Sequence, residues 1–175
     1  MELYHYIKDN FVLIAGVFAA FKWIYEYSQS RKFEKNKFLL ERIEKFNEIE
    51  EVKLVHKLLD WNEIKIQYEC IEYIVNDDIL MDALKTHDVK SNFTPVEVII
   101  RKVFDRYFDE INEFIILCDC GLVDEVNLKR FLKYWIEILN GVRNSKSELF
   151  VETIDKYLEF YGYNNIIEFI DLDYD

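Results

Sequence analysis

The sequence predicts an all-α chain, a hydrophobic N-terminal helix continuing into an antiparallel helical bundle. Three observations carry this. The 175 residues include one proline and four glycines, so little interrupts them. After Phe38, apolar residues recur at helical spacing over most of the chain. Helix starts are marked by capping residues, most clearly at Thr94-Pro95-Val96-Glu97. With 32% charged and 51% hydrophobic residues, the composition is that of a folded helical protein rather than a disordered one.

The first element is built on the run from Phe11 to Phe21, the only long one without a charge or a strongly polar group. Its apolar side chains cover every direction around a 3.6-residue helix, unlike a surface helix with one wet face. Lys22, Trp23, Tyr25 and Tyr27 follow, then Arg31, Lys32, Lys35 and Lys37, while Tyr4 and Tyr6 precede it. Aromatic collars and a basic flank mark a helix leaving a bilayer. A span needs roughly 20 apolar residues. Here Ile7 to Tyr25 approaches that length only by admitting Lys8, Asp9, Asn10 and Lys22, the last able to snorkel. A buried or interfacial helix fits the shorter run, and a signal peptide fits less well because Glu2 and Asp9 sit where basic residues belong.

The expectation is a membrane anchor over 1–27, a basic juxtamembrane helix over 28–46 and an acidic helical domain over 47–175. Only Lys8 precedes the run, so the positive-inside rule places the C-terminal domain in the cytoplasm. Lys22, Trp23, Arg31, Lys32, Lys35 and Lys37 are the expected lipid-headgroup contacts at the inner leaflet. Ala15, Gly16, Ala19 and Ala20 put small residues on one face, a surface through which such helices form homo-oligomers.

Nothing between Trp23 and Phe46 breaks a helix, and Phe38, Leu39, Ile43 and Phe46 keep helical spacing, so the rod continues past the basic cluster. Asn47 offers a cap for a second helix, through Leu59, ending at Asp60-Trp61-Asn62 with the indole expected in the core. Ile64 to Cys70 alternates and gives at most one short extended segment, since a lone strand has no partner. Asp77 or Asp78 caps a short helix through Leu84, and His87 to Asn92 form a loop. The helix begun at Thr94 runs to Cys120 with a broad apolar face, and Gly121 stops it. Asp124 caps the next helix, with Val126, Leu128, Phe131, Leu132, Trp135 and Ile136 inside and Asn140-Gly141 as its end. Ser145 or Ser147 opens another, Leu149 to Tyr161, closed by Gly162. A short apolar piece, Ile166 to Ile170, precedes an acidic tail. Short loops predict antiparallel packing of consecutive helices.

Ala20-Phe21-Lys22-Trp23 with the basic run to Phe38-Leu39, then Leu58-Leu59-Asp60-Trp61-Asn62, Phe93-Thr94 with Glu97, Phe104-Asp105-Arg106-Tyr107-Phe108, and Gly121-Leu122 followed by Leu132-Lys133-Tyr134-Trp135-Ile136, form a set. This set resembles small bacterial single-span membrane proteins with a helical cytoplasmic domain. The resemblance implies the bacterial inner membrane as location and brings no activity with it. Proteins of this general look also occur among prophage and antiviral-defence genes.

Charge and motifs narrow the function. Residues 1–50 hold eight basic and eight acidic residues, so the net −12 lies wholly in 51–175. Such a domain repels phosphate backbones and excludes general nucleic-acid binding. Four scattered glycines cannot make a phosphate loop, and no His-Glu-x-x-His or Gly-x-Ser-x-Gly occurs. Cys118 and Cys120 point about 200° apart on a helix and cannot easily share a metal. His5, His56 and His87 read as surface or loop residues, and Glu97, Arg101 and Asp105 as a surface ion-pair ladder worth about 0.3–0.5 kcal/mol per pair. No catalytic residue, metal site or cofactor is expected. The functional expectation is a non-enzymatic, membrane-anchored module binding a protein partner on the cytoplasmic side. The alternative is an oligomeric membrane effector or sensor, for example in antiviral defence.

Overall fold

A computed structural model describes the backbone of residues 2–68, 70–143 and 145–171, and side chains from residue 15 onward. The chain forms two compact units, 1–38 and 39–175. The boundary falls inside helix α1 (Glu2–Glu48). The second unit also contains α2 (Glu50–Asp60), β1 (Glu63–Tyr68), β2 (Ile71–Asn76), α3 (Asp77–Ala83), α4 (Pro95–Asp119), α5 (Glu125–Leu139), α6 (Glu148–Phe160) and α7 (Asn164–Asp171). The helical class holds, and helix covers most of the chain. Among the described residues no helix is long and apolar enough to cross a membrane. The expected transmembrane anchor is therefore corrected. From Ala15 onward, Lys22 and Glu26 interrupt the apolar run well short of a bilayer's thickness. Phe11 to Ile14, the other half of the run, have side chains outside the described set.

Helix α4 is the centre of the second unit and packs against α2, α3, α5 and α7. Packing thus radiates from one helix, where short loops predicted a chain of sequential neighbours. Its Ile100, Phe104, Tyr107, Phe108 and Phe114 are fully buried. The last turns of α1 join the same core through Leu39 and Phe46, and the Phe46 ring meets those of His56, Tyr107 and Phe114.

The start of α4 is as the sequence predicts. Thr94 Oγ1 accepts from the Glu97 amide, Glu97 returns a bond to the Thr94 amide at 2.9 Å, and Pro95 occupies the first turn. Gly121 ends the helix at φ +66°, and the Leu122 amide closes back onto the Leu117 carbonyl. Asp124 and Ser147 cap α5 and α6. Other boundaries differ. Asn76, not Asp77 or Asp78, caps α3, and Asn47 lies within α1 and leaves α2 without a side-chain cap.

The extended segment has a partner. β1 pairs antiparallel with β2, with Ile66 opposite Tyr73 and Ile64 opposite Val75 on one face. Ile66 and Val75 are buried, and on the solvated face Lys65 bonds Glu72 at 2.8 Å. The hairpin was hidden because Ile71 to Asn76 alternate weakly and no Asn-Gly marks the turn. Cys70 occupies that turn with φ +65°, a conformation costly for any residue with a Cβ. Cys70 is exposed and makes no disulfide. Cys70→Gly is expected to raise stability by about 1 kcal/mol, read as a higher urea midpoint with an unchanged slope.

Candidate functional site

Glu97, Arg101 and Asp105, spaced four apart on α4, do not pair with one another along its surface. Glu97 and Arg101 are buried, and each is satisfied from another element. Arg101 Nη1 donates to the carbonyls of Ala83 and Lys85, both at 2.7 Å, where α3 ends. The guanidinium thus sits at the negative end of a helix. Its Nη2 donates to the Tyr161 hydroxyl. The rings of Phe93, Tyr157 and Tyr161 surround it at 4.3, 5.1 and 5.4 Å. Lys90 bonds Glu97 at 2.8 Å and Asp82 at 3.3 Å, tying the α3–α4 loop to the capping box. Burial pushes the Glu97 carboxyl up, yet the bonds from Lys90 and the Thr94 amide hold it below its usual value. Further along the same stripe, Tyr157 and Tyr163 donate to Asp105 and Asp109. Burial and these carboxylates raise both phenols well above the ordinary value. Every charge in this network is engaged in holding elements together.

A second buried cation works the same way. The Lys146 side chain is 1% exposed, bonding Asp77 at 2.6 Å and the Trp61 carbonyl at 2.9 Å. Trp61 contributes that carbonyl and not its ring, which is exposed rather than in the core. Val126 and Phe131 of α5 are likewise exposed. His56 is not a surface residue. Its ring stacks on Trp135 at 3.7 Å and meets Tyr107 edge-on. Burial pulls its pKa down to about 4, with Asp60 opposing. Its Nε2 and the buried Tyr107 hydroxyl have no hydrogen-bond partner.

Among the described residues, two surfaces outside this network bear on function. One is the α1 segment of the first unit. Phe18, Trp23 and Phe33 are 71%, 66% and 70% exposed, and Phe21, Ile24, Tyr25 and Tyr27 are exposed with them. Ala15, Gly16, Ala19 and Ala20 are exposed too, and a Cβ at Gly16 would meet nothing within 4 Å. Lys22 pairs with Glu26 at 3.7 Å. Trp23 stacks on Tyr27, and Arg31 lies over the Tyr27 ring at 5.6 Å. Lys32, Lys35 and Lys37 are exposed. Helical spacing thus joins Trp23, Tyr27 and Arg31 into one ladder.

The other surface lies in the second unit. It is a cavity of about 550 Å³ to which α2 gives Glu50, Glu51 and Leu54, the hairpin Ile66, Gln67, Tyr68 and Tyr73, and α4 Val98, Ile99, Lys102 and Val103, with Phe93 and Pro95. Its size is in the range of ligand and peptide sites. Sequence reasoning missed it because the hairpin that forms part of it was not foreseen. Among the described residues no group of three or more His, Cys, Asp or Glu is placed to hold a metal ion.

No family model, curated protein or solved structure matches the chain, so the resemblance to single-span membrane proteins, already without a span among the described residues, finds no support.

Two outcomes are expected. Arg101→Met removes the guanidinium from its carbonyls and lowers stability by about 3 kcal/mol, and Arg101→Lys restores little of it because an ammonium lacks the planar fork. Both are read from urea unfolding. For His56, the folded pKa lies below the unfolded value near 6.5. The unfolded chain therefore binds the extra proton between about pH 6.5 and 4, and stability is full above that window and falls as pH drops through it. His56→Phe is expected to flatten the pH dependence of the unfolding midpoint between pH 7 and 5; an unchanged slope would show that His56 does not carry it.

Proposed function

We propose that the chain is a non-enzymatic helical interaction module that docks a protein partner on the α1 segment from Phe18 to Phe33. One observation carries the reading, namely the row of large apolar and aromatic side chains standing exposed on that helix. A contiguous exposed apolar surface of this kind marks an interaction site. Trp and Tyr with Arg among them are the residue types that dominate interface energetics. The interior charges of the second unit support the same reading, because the buried Arg101 and Lys146 and the half-buried Lys90 are held in structural bonds. The exposed α1 segment and the interior network share no residue. Partner binding and folding are separable on this basis.

A photo-crosslinking amino acid at Phe21 or Phe33, in cells expressing the full chain, is expected to give discrete protein adducts. The same group at Lys156, exposed on α6, is expected to give none. Adducts to lipid alone, or equal yields at all three positions, would overturn the reading. Phe18→Ser with Phe21→Ser is expected to abolish the Phe33 adducts while moving the thermal midpoint of the second unit by less than about 0.5 kcal/mol equivalent.

A further inference from the structure

Resting on that docking role, we infer that the partner is a second copy of this chain, with Lys32-Phe33-Glu34 of one copy seated in the α2–hairpin–α4 cavity of the other. Charge comes first. Residues 1–38 carry six basic and four acidic residues, a net +2, leaving 16 basic (22 − 6) and 30 acidic (34 − 4) in residues 39–175, a net −14. Two second units repel each other, whereas a basic segment and an acidic unit attract.

The local match is sharper. Phe33 is exposed, and Lys32, Glu34 and Lys35 beside it are exposed without an ion pair. The cavity presents the converse set. Its lining is mostly apolar and includes the aromatic rings of Tyr68, Tyr73 and Phe93. Glu51 comes from α2, as does Glu50, which is paired with Lys53 at 2.8 Å, and Lys102 comes from α4; among the described residues neither Glu51 nor Lys102 has a partner. On a helix, neighbouring residues point about 100° to either side of a central one. A helix entering with Phe33 foremost therefore presents Lys32 to one wall and Glu34 to the other. That is the polarity the cavity offers, the Glu51 carboxylate from α2 and the Lys102 ammonium from α4. An aromatic anchor in an apolar pocket with flanking charges is the helix-in-groove mode of recognition. Two such contacts made reciprocally give a closed two-fold dimer.

The test is sedimentation equilibrium of the full chain at low and high salt. The wild type is expected to dimerise reversibly, with the dissociation constant rising at least tenfold from 50 to 500 mM salt. Phe33→Ala is expected to weaken the dimer at least tenfold. Glu51→Lys and Lys32→Glu should each weaken it several-fold alone, and an equimolar mixture of the two should regain affinity, because each segment then meets a complementary cavity. All these positions are exposed or half-exposed, so unchanged thermal midpoints confirm folding. A monomer at all concentrations, or a dimer indifferent to Phe33→Ala and Glu51→Lys, overturns the inference. In that case discrete crosslinks from Phe33 to a protein of another mass would leave the docking role standing, and their absence would remove both.

Discussion

Helix α4 carries Glu97, Arg101 and Glu110 into largely buried places, each less than a tenth exposed, and that constraint shapes the second unit. A buried charge without a partner costs several kcal/mol, so the rest of the chain must supply partners. For Arg101 these are two carbonyls at the end of α3 and a tyrosine after α6. For Glu97 they are a loop lysine and the helix's own cap. For Glu110 they are Arg106 on the same helix and Arg42 of α1 at 3.9 Å. Elements far apart in sequence are thus fixed to one helix by directional bonds, over an apolar core that alone would tolerate many arrangements. Specificity of this kind is a hypothesis for any buried ion, and the number of elements that converge on Arg101 is what recommends it here.

Much of the architecture was legible before the structure. The capping box at Thr94, the stop at Gly121 and the caps at Asp124 and Ser147 are local chemistry, written within four or five residues. What was illegible depends on partners distant in sequence. Spacing of four between Glu97, Arg101 and Asp105 reads equally as a surface ladder or as a stripe facing inward, and only the neighbouring elements decide. Trp61 was expected inside because it is large and apolar, but it is exposed, and what it gives the interior is the carbonyl that Lys146 bonds. His56 was assigned to the surface because nothing local distinguishes a polar residue on a helix from one that stacks on a tryptophan 79 positions later. The cavity was illegible for the same reason, since it draws on α2, the hairpin and α4 at once.

The apolar run at the N-terminus shows the limit of reading hydrophobicity alone. All-round apolarity says that a helix seeks cover, and it does not say what covers it. Length is the discriminating quantity, and among the described residues no helix is long and apolar enough to cross a membrane. Lys22 and Glu26 form an i,i+4 pair. Trp23, Tyr27 and Arg31 then make a ladder of contacts along one side of α1. Pre-ordered aromatics lose less entropy on docking than free ones.

The helix also has to exist before anything covers it. An isolated stretch of α1 containing Gly16 and several aromatic and β-branched residues has only middling helix propensity. Nucleation is the unfavourable step, and it is avoided here because the last turns of α1 are already fixed by Leu39 and Phe46 in the core. Each further residue toward the N-terminus then adds one backbone bond at little net change in free energy. Exposure of the aromatic segment is therefore inexpensive in conformational terms, and its energetic burden is the apolar surface left in water. That burden is also the driving force available for docking, about 25 cal/mol for each Å² covered. A segment held helical from its base and left apolar at its surface has its ordering cost largely met in advance, so in the proposed docking burial of Phe18, Trp23 or Phe33 would go chiefly into affinity.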